Sequence, residues 1–204
     1  MNHSLHIEGY SYCLCPVSIE DASFIVETRL EDIERNKYIN RISPDVSLQV
    51  EWIKKYFDTP NDYYFVVKNK LTNRKEGLIA AYNISGKIGE IGRFVIKKDS
   101  LAAVESYYLV CRIAFEQLNL DEVFYRVVVD NKNVIAFHNS VKAKKRRIIP
   151  QYVTIENVVY DSVEHFVDKE WFLTVIEPRL EKMLQKFFER NYHRVYHHNL
   201  NNKL

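Results

Sequence analysis

The chain has 204 residues, of which 47% are hydrophobic, so it can bury one substantial core and has the length of a single domain. Its 29 Lys and Arg residues nearly balance 27 Asp and Glu residues, which excludes a global electrostatic attraction to nucleic acid or to an acidic membrane. The three cysteines, Cys13, Cys15 and Cys111, lack metal-clamp spacing, and no apolar run approaches the roughly 18 residues of a membrane span. We therefore predict no metal site, no leader or membrane segment, and a reducing cytoplasmic environment.

The N-terminal part predicts one strand followed by two helices. Residues 10–17 alternate in the manner of a strand, and Ser18 gives an N-cap signal for the helix that follows. That helix runs through Leu30, with 31–36 as its solvated continuation. Pro44 opens a second helix, which has a broad aromatic side and ends at a Thr-Pro-Asn-Asp sequence.

The middle of the chain predicts an antiparallel meander that gives way to a parallel crossover. Residues 63–67 and 77–84 are two β-rich runs joined by a polar turn, which is typical of a hairpin. The next strand covers 88–96. A helix over 101–118 is followed by a strand at 123–129 that is rich in β-branched residues. Because this helix is a crossover, the strands at 88–96 and 123–129 should be parallel.

The next segment predicts a helix and then more sheet. The helix runs from Asn131 to about Lys144. A basic run at its end is interpreted as a solvated helix end whose cations complement the dipole, with binding of a phosphate group as the alternative. The basic run consists of Lys142, Lys144, Lys145, Arg146 and Arg147. After Pro150 the pattern returns to alternation, so that 152–157 and 158–172 complete the sheet.

The C-terminal segment predicts an amphipathic helix, which divides the chain into a domain at 1–176 and an appendage at 177–204. A helix of that length is not stable alone in water, so it must pack either on its own sheet or on a second copy. We predict a contribution to a homodimer. Residues 193–204 predict a frayed end. The apolar side consists of Leu180, Met183, Leu184, Phe187 and Phe188.

The order of strand, polar turn, helix, strand and helix from Glu90 to Ser140 resembles the central half of a GNAT-superfamily acyl-CoA N-acyltransferase, and is most similar to the RimJ/RimL-like branch. The residues that carry the resemblance are Glu90-Ile91-Gly92, residues 114–120, Asn131 and Ala136-Phe137. It covers about residues 10–175. It implies an α/β GNAT fold, with a mixed, mostly antiparallel sheet splayed between two parallel central strands. The predicted C-terminal helix is an extra element that has no counterpart in the family pattern.

The resemblance also implies a site for the acyl donor, acetyl-CoA. Its phosphate turn would be Lys97–Ala102, where Lys97 keeps a positive charge, but Ser100 replaces a glycine that lets the backbone approach the pyrophosphate. Taken alone, the same turn is typical of an N-capped loop with Asp99 or Ser100 as the cap. The predicted donor-binding residues are Phe94, Val95, Ile96, Lys97, Lys98, Asp99, Ser100, Leu101, Ala102, Asn131 and Phe137.

Two residues are candidates for proton transfer. Glu90 stands where the branch carries an acidic residue, and it would accept a proton from the acceptor ammonium before the nitrogen attacks. A solvent-facing strand glutamate is the alternative. His138 stands where many members have a tyrosine general acid, and as an imidazolium it would protonate the departing thiolate. A packing or surface histidine is the alternative.

Arg29, Trp52 and Tyr82 belong to the region that covers the acceptor in the resembling fold. Arg29 lies on an otherwise apolar helix and needs an anionic or carbonyl partner, which an acceptor carboxylate or phosphate would supply.

The resemblance implies direct transfer of an acetyl group from acetyl-CoA to a primary amine within a ternary complex. Two acceptors stay open, a nucleotide-linked amino sugar and a protein or peptide α-amine, with the small molecule favoured. A non-catalytic GNAT-like module that binds a partner through the basic run is the alternative from another class. No second basic face accompanies that run, so no nucleic-acid partner is predicted.

Overall fold

The computed structural model describes residues 3–201, with side chains described for 3–190. Eight strands form one sheet in the order β1-β2-β3-β4-β5-β6-β8-β7, in which β5 and β6 are the parallel pair and the other described neighbours are antiparallel. This arrangement confirms the predicted fold class. The strands are β1 Ile7–Glu8, β2 Tyr12–Pro16, β3 Tyr63–Asn69, β4 Lys75–Ser85, β5 Ile88–Ile96, β6 Glu122–Val128, β7 Lys144–Ile155 and β8 Val158–Asp168.

Helices cover both faces of this sheet. Helices α3 and α6 pack on one face around a core that contains Tyr107 and Phe115, whereas α1 and α2 cover the other face around Ile25 and Ile53. Burying both faces in this way gives the sheet two apolar layers. The helices are α1 Ala22–Leu30, α2 Val46–Tyr56, α3 Ala103–Arg112, α4 Lys132–Ser140, the short α5 Lys169–Trp171, and α6 Glu177–Asn201, with π-helical turns at Ile113–Gln117 and Phe172–Ile176.

Local capping explains why the predicted second helix is confirmed. The Asp45 side chain accepts a hydrogen bond from the Ser47 N–H at 2.8 Å, which satisfies a free donor of the first turn of α2. The extension of the first helix over 31–36 is wrong, because these residues leave the helix after Leu30 and form turns. In those turns Asn36 Nδ2 donates to the carbonyls of Thr28 and Arg29, so its amide closes the end of the helix.

The central strands separate after three residue pairs. β5 and β6 pair at Ile88 with Glu122, Gly89 with Val123 and Glu90 with Phe124, and the described pairing ends there. β5 stays bonded to β4 through a bulge at which Arg93 adopts a left-handed backbone angle, φ 48°. A bulge bends and twists the strand that contains it, so β5 turns away from β6 beyond Glu90.

The basic run is part of a strand, so its predicted position at a helix end is wrong. Helix α4 ends at Ser140, and Lys142 then adopts a left-handed backbone angle, φ 67°, which terminates a helix. Lys144–Arg147 opens β7 instead. Pro150 is tolerated within β7 because this strand is the edge of the sheet and its register shifts there.

Helix α6 packs on its own chain. Leu180 and Leu184 are buried in the core shared with α3, whereas Met183 and Phe187 remain exposed. The homodimer and the division of the chain at residue 176 stay predictions. The backbone of α6 stays helical through Asn201, which differs from the frayed end predicted for 193–204, and residues 202–204 lie outside the described residues. Within the described part of the chain, no helix combines the length and apolarity needed to cross a membrane.

Candidate active site

The separation of β5 from β6 opens a cleft of about 1220 Å³ between the two halves of the sheet. Side chains from α1, α2, β4, β5, β6 and α4 line it, so residues distant in sequence meet there. The predicted site residues among the lining are Arg29, Trp52, Tyr82, Glu90, Phe94, Val95, Ile96, Asn131, Phe137 and His138. The predicted turn at 97–102 follows the end of β5 and is not part of this lining.

Glu90 lies at the point where the two strands part. Its side chain is buried and its Oε2 accepts hydrogen bonds from Asn83 Nδ2 at 3.0 Å and from Arg126 Nη1 at 3.4 Å. A carboxylate held by two donors keeps a fixed orientation while retaining further acceptor lone pairs. Glu90 is therefore a buried carboxylate of fixed orientation that lines the cleft, and not the solvent-facing glutamate of the alternative interpretation.

Arg126 links Glu90 to a second buried carboxylate. Its Nε donates to Glu164 Oε2 at 3.1 Å, its Nη1 also donates to Tyr152 Oη at 3.2 Å, and its guanidinium lies 4.5 Å from the Phe124 ring centroid. The sequence analysis missed this residue. The sequence feature that could have identified Arg126 is its position in a strand of apolar, β-branched residues. A cation in such a strand needs a carboxylate partner when the strand is buried.

Gly92 is required by the packing of Tyr82. A β-carbon at Gly92 would lie 2.6 Å from the Tyr82 hydroxyl oxygen, so this position of the Glu-Ile-Gly sequence accepts no side chain without a shift. Burial, reinforced by the nearby Glu90 carboxylate, raises the pKa of Tyr82. Tyr82 therefore presents a protonated hydroxyl to the cleft at neutral pH.

An aromatic wall surrounds a second arginine missed from the sequence. Arg93 donates both Nη atoms to the Asp62 carboxylate, at 2.7 and 2.8 Å, and its guanidinium lies 4.5 Å from the Tyr82 ring and 5.4 Å from the Trp52 ring. Trp52 stacks on Tyr56 with centroids 5.6 Å apart. The bidentate pair neutralises Arg93, so its charge is already compensated within the chain.

Arg29 is not compensated in this way by any side chain between residues 3 and 190. Its Nη2 donates to the carbonyl oxygen of Asn40 at 2.5 Å, and no ion pair to a carboxylate is found for it among the described side chains. Burial lowers the pKa of its guanidinium, with nearby Arg93 acting in the same direction, but an arginine stays charged at neutral pH. Counting only side chains that the structure describes, the cleft thus contains a cation that lacks a carboxylate partner.

His138 is buried against aromatic rings, and the imidazolium expected from the sequence is wrong for this environment. Its ring centroid lies 4.6 Å from that of Tyr125 and 5.4 Å from the stacked ring of His165, and within the described residues its Nδ1 has no hydrogen-bond partner. Burial, with a smaller contribution from His165, lowers the pKa of His138 to about 3. His138 therefore lines the cleft as a neutral imidazole at pH 7.

The predicted phosphate turn connects β5 to the start of α3. Ser100 Oγ donates to Glu76 Oε2 at 2.6 Å and accepts from the Ala102 N–H at 3.1 Å, while the Lys97 ammonium binds the carboxylate of Glu27. The Lys97 and Ser100 side chains of the turn are thus occupied within the chain. No side chain caps α3, so neither Asp99 nor Ser100 is the cap of the alternative interpretation, and the first-turn N–H groups remain available to an anion. Lys98, Asp99 and the exposed Leu101 complete the turn.

The chain's own residues fit the donor that the resemblance implies. Residues 91–96 of β5 have no strand partner on the side that faces β6, so their backbone groups are free to bond an extended chain with amides. Phe94 and Phe137 meet edge to face at 6.0 Å and give this side of the cleft an apolar surface. Asn131 Oδ1 accepts from the Val134 N–H at 3.4 Å, which holds the start of α4 beside it.

One segment of the chain contains the separation of β5 from β6, the unpaired edge of β5 and the helix α3 without a side-chain cap. This segment matches a known protein family. Residues 12–144, more than half of the chain, match the family described as Acetyltransferase (GNAT) domain. The chain belongs to the GNAT acetyltransferase family. Acyl-CoA-dependent N-acyl transfer is therefore the activity class of this chain, and the family generally uses acetyl-CoA as its donor. None of the curated protein sequences compared matches the chain.

Solved structures share the fold at low sequence identity. A probable GNAT acetyltransferase from Chromobacterium violaceum is 14% identical with a TM-score of 0.75, covering 84% of this chain and 90% of its own. The nucleotide-linked sugar GNAT FdhC, in its apo form, is 22% identical with a TM-score of 0.69 and coverages of 86% and 98%. A point mutant of the spermidine N-acetyltransferase SpeG from Vibrio cholerae is 15% identical with a TM-score of 0.71 and coverages of 81% and 98%. These likenesses concern the fold alone.

Proposed function

We propose that this GNAT protein transfers an acetyl group from acetyl-CoA directly to the primary amine of a small acceptor that also carries an anionic group, as a nucleotide-linked amino sugar does. The observation that carries the proposal is the pairing, within one cleft, of the buried Glu90 carboxylate at the strand separation with the uncompensated Arg29 cation. The first supplies a proton acceptor for the amine and the second a partner for the anion.

Glu90 acts in this proposal as the general base. The acceptor arrives as an ammonium ion, and its nitrogen attacks the thioester carbonyl only after losing a proton. Asn83 and Arg126 hold the carboxylate, so a direct or water-mediated transfer to Glu90 needs little reorganisation. His138, as a neutral imidazole, offers an N–H hydrogen bond to the departing sulfur in place of the proton expected from an imidazolium.

Direct transfer within a ternary complex is favoured over an acyl-cysteine intermediate. An intermediate of that kind needs a thiol in the cleft. Cys13 and Cys15 belong to β2 and Cys111 is buried in α3, and none of the three lines the cleft.

The mouth of the cleft favours a small acceptor over a protein α-amine. The loop between α1 and α2 reaches the hairpin of β7 and β8, where Arg41 Nε binds Glu156 Oε1 at 2.7 Å and Tyr38 meets Tyr160 edge to face at 5.8 Å. We call these two contacts the mouth bridge. A bridge of this kind restricts the approach of a folded chain terminus. The similarity in fold to FdhC supports a nucleotide-linked sugar, and the RimJ/RimL-like branch stays part of the proposal.

The non-catalytic alternative is weaker because the basic run is largely paired. Lys144 Nζ binds Asp168 Oδ2 at 2.9 Å, Arg146 binds Glu122, and Arg147 Nε binds Glu164 Oε1 at 3.3 Å. These cations offer little free charge to an external partner. The cytoplasmic location and the homodimer remain predictions beside this proposal.

Two measurements test the proposal. Calorimetry with acetyl-CoA tests the donor site, and an absence of heat up to about 1 mM ligand would contradict the enzymatic activity. Thiol release from acetyl-CoA is then followed with three acceptors, namely a nucleotide-linked amino sugar, the same amino sugar without its nucleotide, and a short peptide with a free α-amine. We expect the highest kcat/KM for the first. Equal values for the first two acceptors would remove the anion from the proposal, and a preference for the peptide would replace the small acceptor.

A further inference from the structure

A second pocket lies beside the cleft, between α4 and the strands β7 and β8. Its volume is about 250 Å³, and a cavity of about 150 Å³ is enough to hold a benzene ring. Ile135 of α4, Ile148 of β7 and Val163 of β8 give the pocket apolar walls, and 51% of Ile148 is exposed. A ligand with a compact apolar body would therefore find both the space and the contact surface that it needs.

His165 is the buried polar residue of this pocket. Its side chain is 1% exposed, and neither Nδ1 nor Nε2 has a hydrogen-bond partner among residues 3–190. Burial lowers the pKa of His165, so the imidazole is neutral at pH 7 and carries one N–H donor. Because no hydrogen bond within that part of the chain fixes the tautomer, the ring can place this N–H on the nitrogen nearer to a ligand.

Lys145 supplies positive charge to the pocket. Of the four cations that open β7, Lys144, Arg146 and Arg147 bind carboxylates, whereas the Lys145 ammonium has no ion pair to any side chain that the structure describes. Lys145 pairs with His165 in the ladder between β7 and β8, and side chains of such partners lie on the same face of a sheet. The Lys145 ammonium also acts to lower the pKa of His165, as expected for a cation close to the ring.

The remaining polar lining also suits an anion. Lys132 Nζ donates to the carbonyl oxygen of Val129 at 2.7 Å and keeps two further N–H donors, and Asn139 offers a side-chain amide. Among the described side chains, no carboxylate lines the pocket. The pocket therefore combines positive charge, an unpaired N–H donor and apolar walls.

A small organic carboxylate matches this combination. One carboxylate oxygen would accept the His165 N–H and the other the Lys145 ammonium, while the apolar body covers Ile148. Inorganic phosphate lacks the apolar body, and an uncharged analogue would leave the ammonium without an anionic partner.

We propose that this pocket is a second binding site, which takes a small monocarboxylate with a compact apolar body. The bound carboxylate fixes the tautomer of His165, whose ring stacks on that of His138 with centroids 5.4 Å apart, so the ligand lies one ring away from the cleft. This proposal does not rest on the proposed acyl transfer. Its test uses protein without acetyl-CoA or acceptor, so the two proposals fail or succeed separately.

The test is a titration of the full-length protein with benzoate, followed through the NMR signals of isotope-labelled histidine rings. The His165 signals are identified by their loss in His165→Phe, or in His165→Gln if the first variant fails to fold. We expect these signals to shift with a dissociation constant of about 1 mM or below. Benzyl alcohol and inorganic phosphate should bind at least about tenfold more weakly.

Three variants locate the binding. Lys145→Met removes the cation but keeps an apolar stem, and it should weaken benzoate binding by about tenfold or more. Lys142→Met is the matched control, because it removes a charge from the same basic run but outside the pocket, and it should bind as the parent does. Arg29→Gln removes the cation of the cleft and should also leave the shift of His165 unchanged.

Four results would overturn the proposal. The first is a set of His165 signals that stay in place up to about 20 mM benzoate. The second is a Lys145→Met variant with the parent's affinity. The third is binding of benzyl alcohol or phosphate as tight as that of benzoate. The fourth is a shift that disappears in Arg29→Gln, because benzoate would then occupy the cleft.

Discussion

Replacing Glu90 with glutamine removes the proposed base while keeping its shape. The amide oxygen of the introduced glutamine still accepts from Asn83, and Arg126 keeps its bond to Glu164 at 3.1 Å, so the structural loss is confined to one long contact of 3.4 Å. A contact of that kind contributes about 1 kcal/mol to the free energy of unfolding. The chemical loss is larger. Without a general base we expect kcat to fall by roughly 10-fold to 1000-fold, which is about 1.4 to 4 kcal/mol of transition-state free energy.

The assay for Glu90→Gln separates chemistry from binding and folding. Thiol release at saturating acceptor gives kcat, calorimetry gives the acetyl-CoA dissociation constant, and thermal unfolding gives stability. We expect only the first to change strongly. Glu122→Gln is the matched control, because Glu122 lies on the adjoining strand β6 and pairs with Arg146 outside the cleft. A Glu90→Gln protein that turns over at the parent's rate would refute the assignment. A fall in kcat of equal size in Glu122→Gln would refute it too, since the effect would then be structural.

Four further predictions test the surroundings of this residue. Arg29→Gln should raise the KM for a nucleotide-linked amino sugar by roughly 10-fold to 100-fold, as expected for one charge-assisted hydrogen bond, while the KM for the amino sugar without its nucleotide stays constant; equal changes for both would contradict the role. Gly92→Ala should lower the melting temperature, because its β-carbon would meet the Tyr82 hydroxyl at 2.6 Å, and the loss should be smaller in a Tyr82→Phe background. If the β-carbon of Ser100 narrows the turn, Ser100→Gly should bind acetyl-CoA more tightly in calorimetry, whereas Ser100→Ala should not. Weaker binding by both variants would identify the hydroxyl as a phosphate ligand. Burial lowers the pKa of His138 to about 3, below its unfolded value of 6.5. Between these two values the unfolded state binds a proton that the folded state does not, so the free energy of unfolding should fall by about 1.4 kcal/mol for each unit that the pH drops from 6.5 toward 3. Urea unfolding of His138→Asn should show a smaller decrease over that interval.

Elements governed by local chemistry were predictable from the sequence. The bounds of β5 agree with the predicted 88–96, because its apolar positions and flanking turns are encoded within the segment. The helix after Pro44 was found for a similar reason, since Asp45 caps it within two residues. The parallel pairing of β5 and β6 followed from the crossover helix between them. Glu90 lies in the cleft as predicted, although its catalytic role stays a prediction.

Features that depend on distant partners were not predictable. The run at Lys144–Arg147 looks solvated until its partners are known, and these are carboxylates on β6 and β8, such as Glu122 and Glu164. The protonation state of His138 depends on rings brought by β6 and β8, and nothing near it in the sequence indicates burial. The position of Arg126 in an apolar strand predicted that it binds a carboxylate, but only the folded structure shows that its partners are Glu90 and Glu164.

Because the mouth bridge joins the two sides of the cleft, entry of the acceptor depends on the fraction of molecules in which the bridge is broken. An exposed ion pair such as Arg41 with Glu156 contributes at most about 1 kcal/mol, and one aromatic edge contact such as Tyr38 with Tyr160 contributes about as much. If separation of the two sides breaks these two contacts alone, it costs about 2 kcal/mol, which corresponds to an open fraction of a few per cent. If opening and closing are faster than collision with the acceptor, the association rate constant equals that of the open form multiplied by the open fraction. Because salt screens the ion pair, a higher ionic strength enlarges the open fraction. The association rate constant of the acceptor would then depend on the residues of the mouth bridge, which take no part in the proposed chemistry.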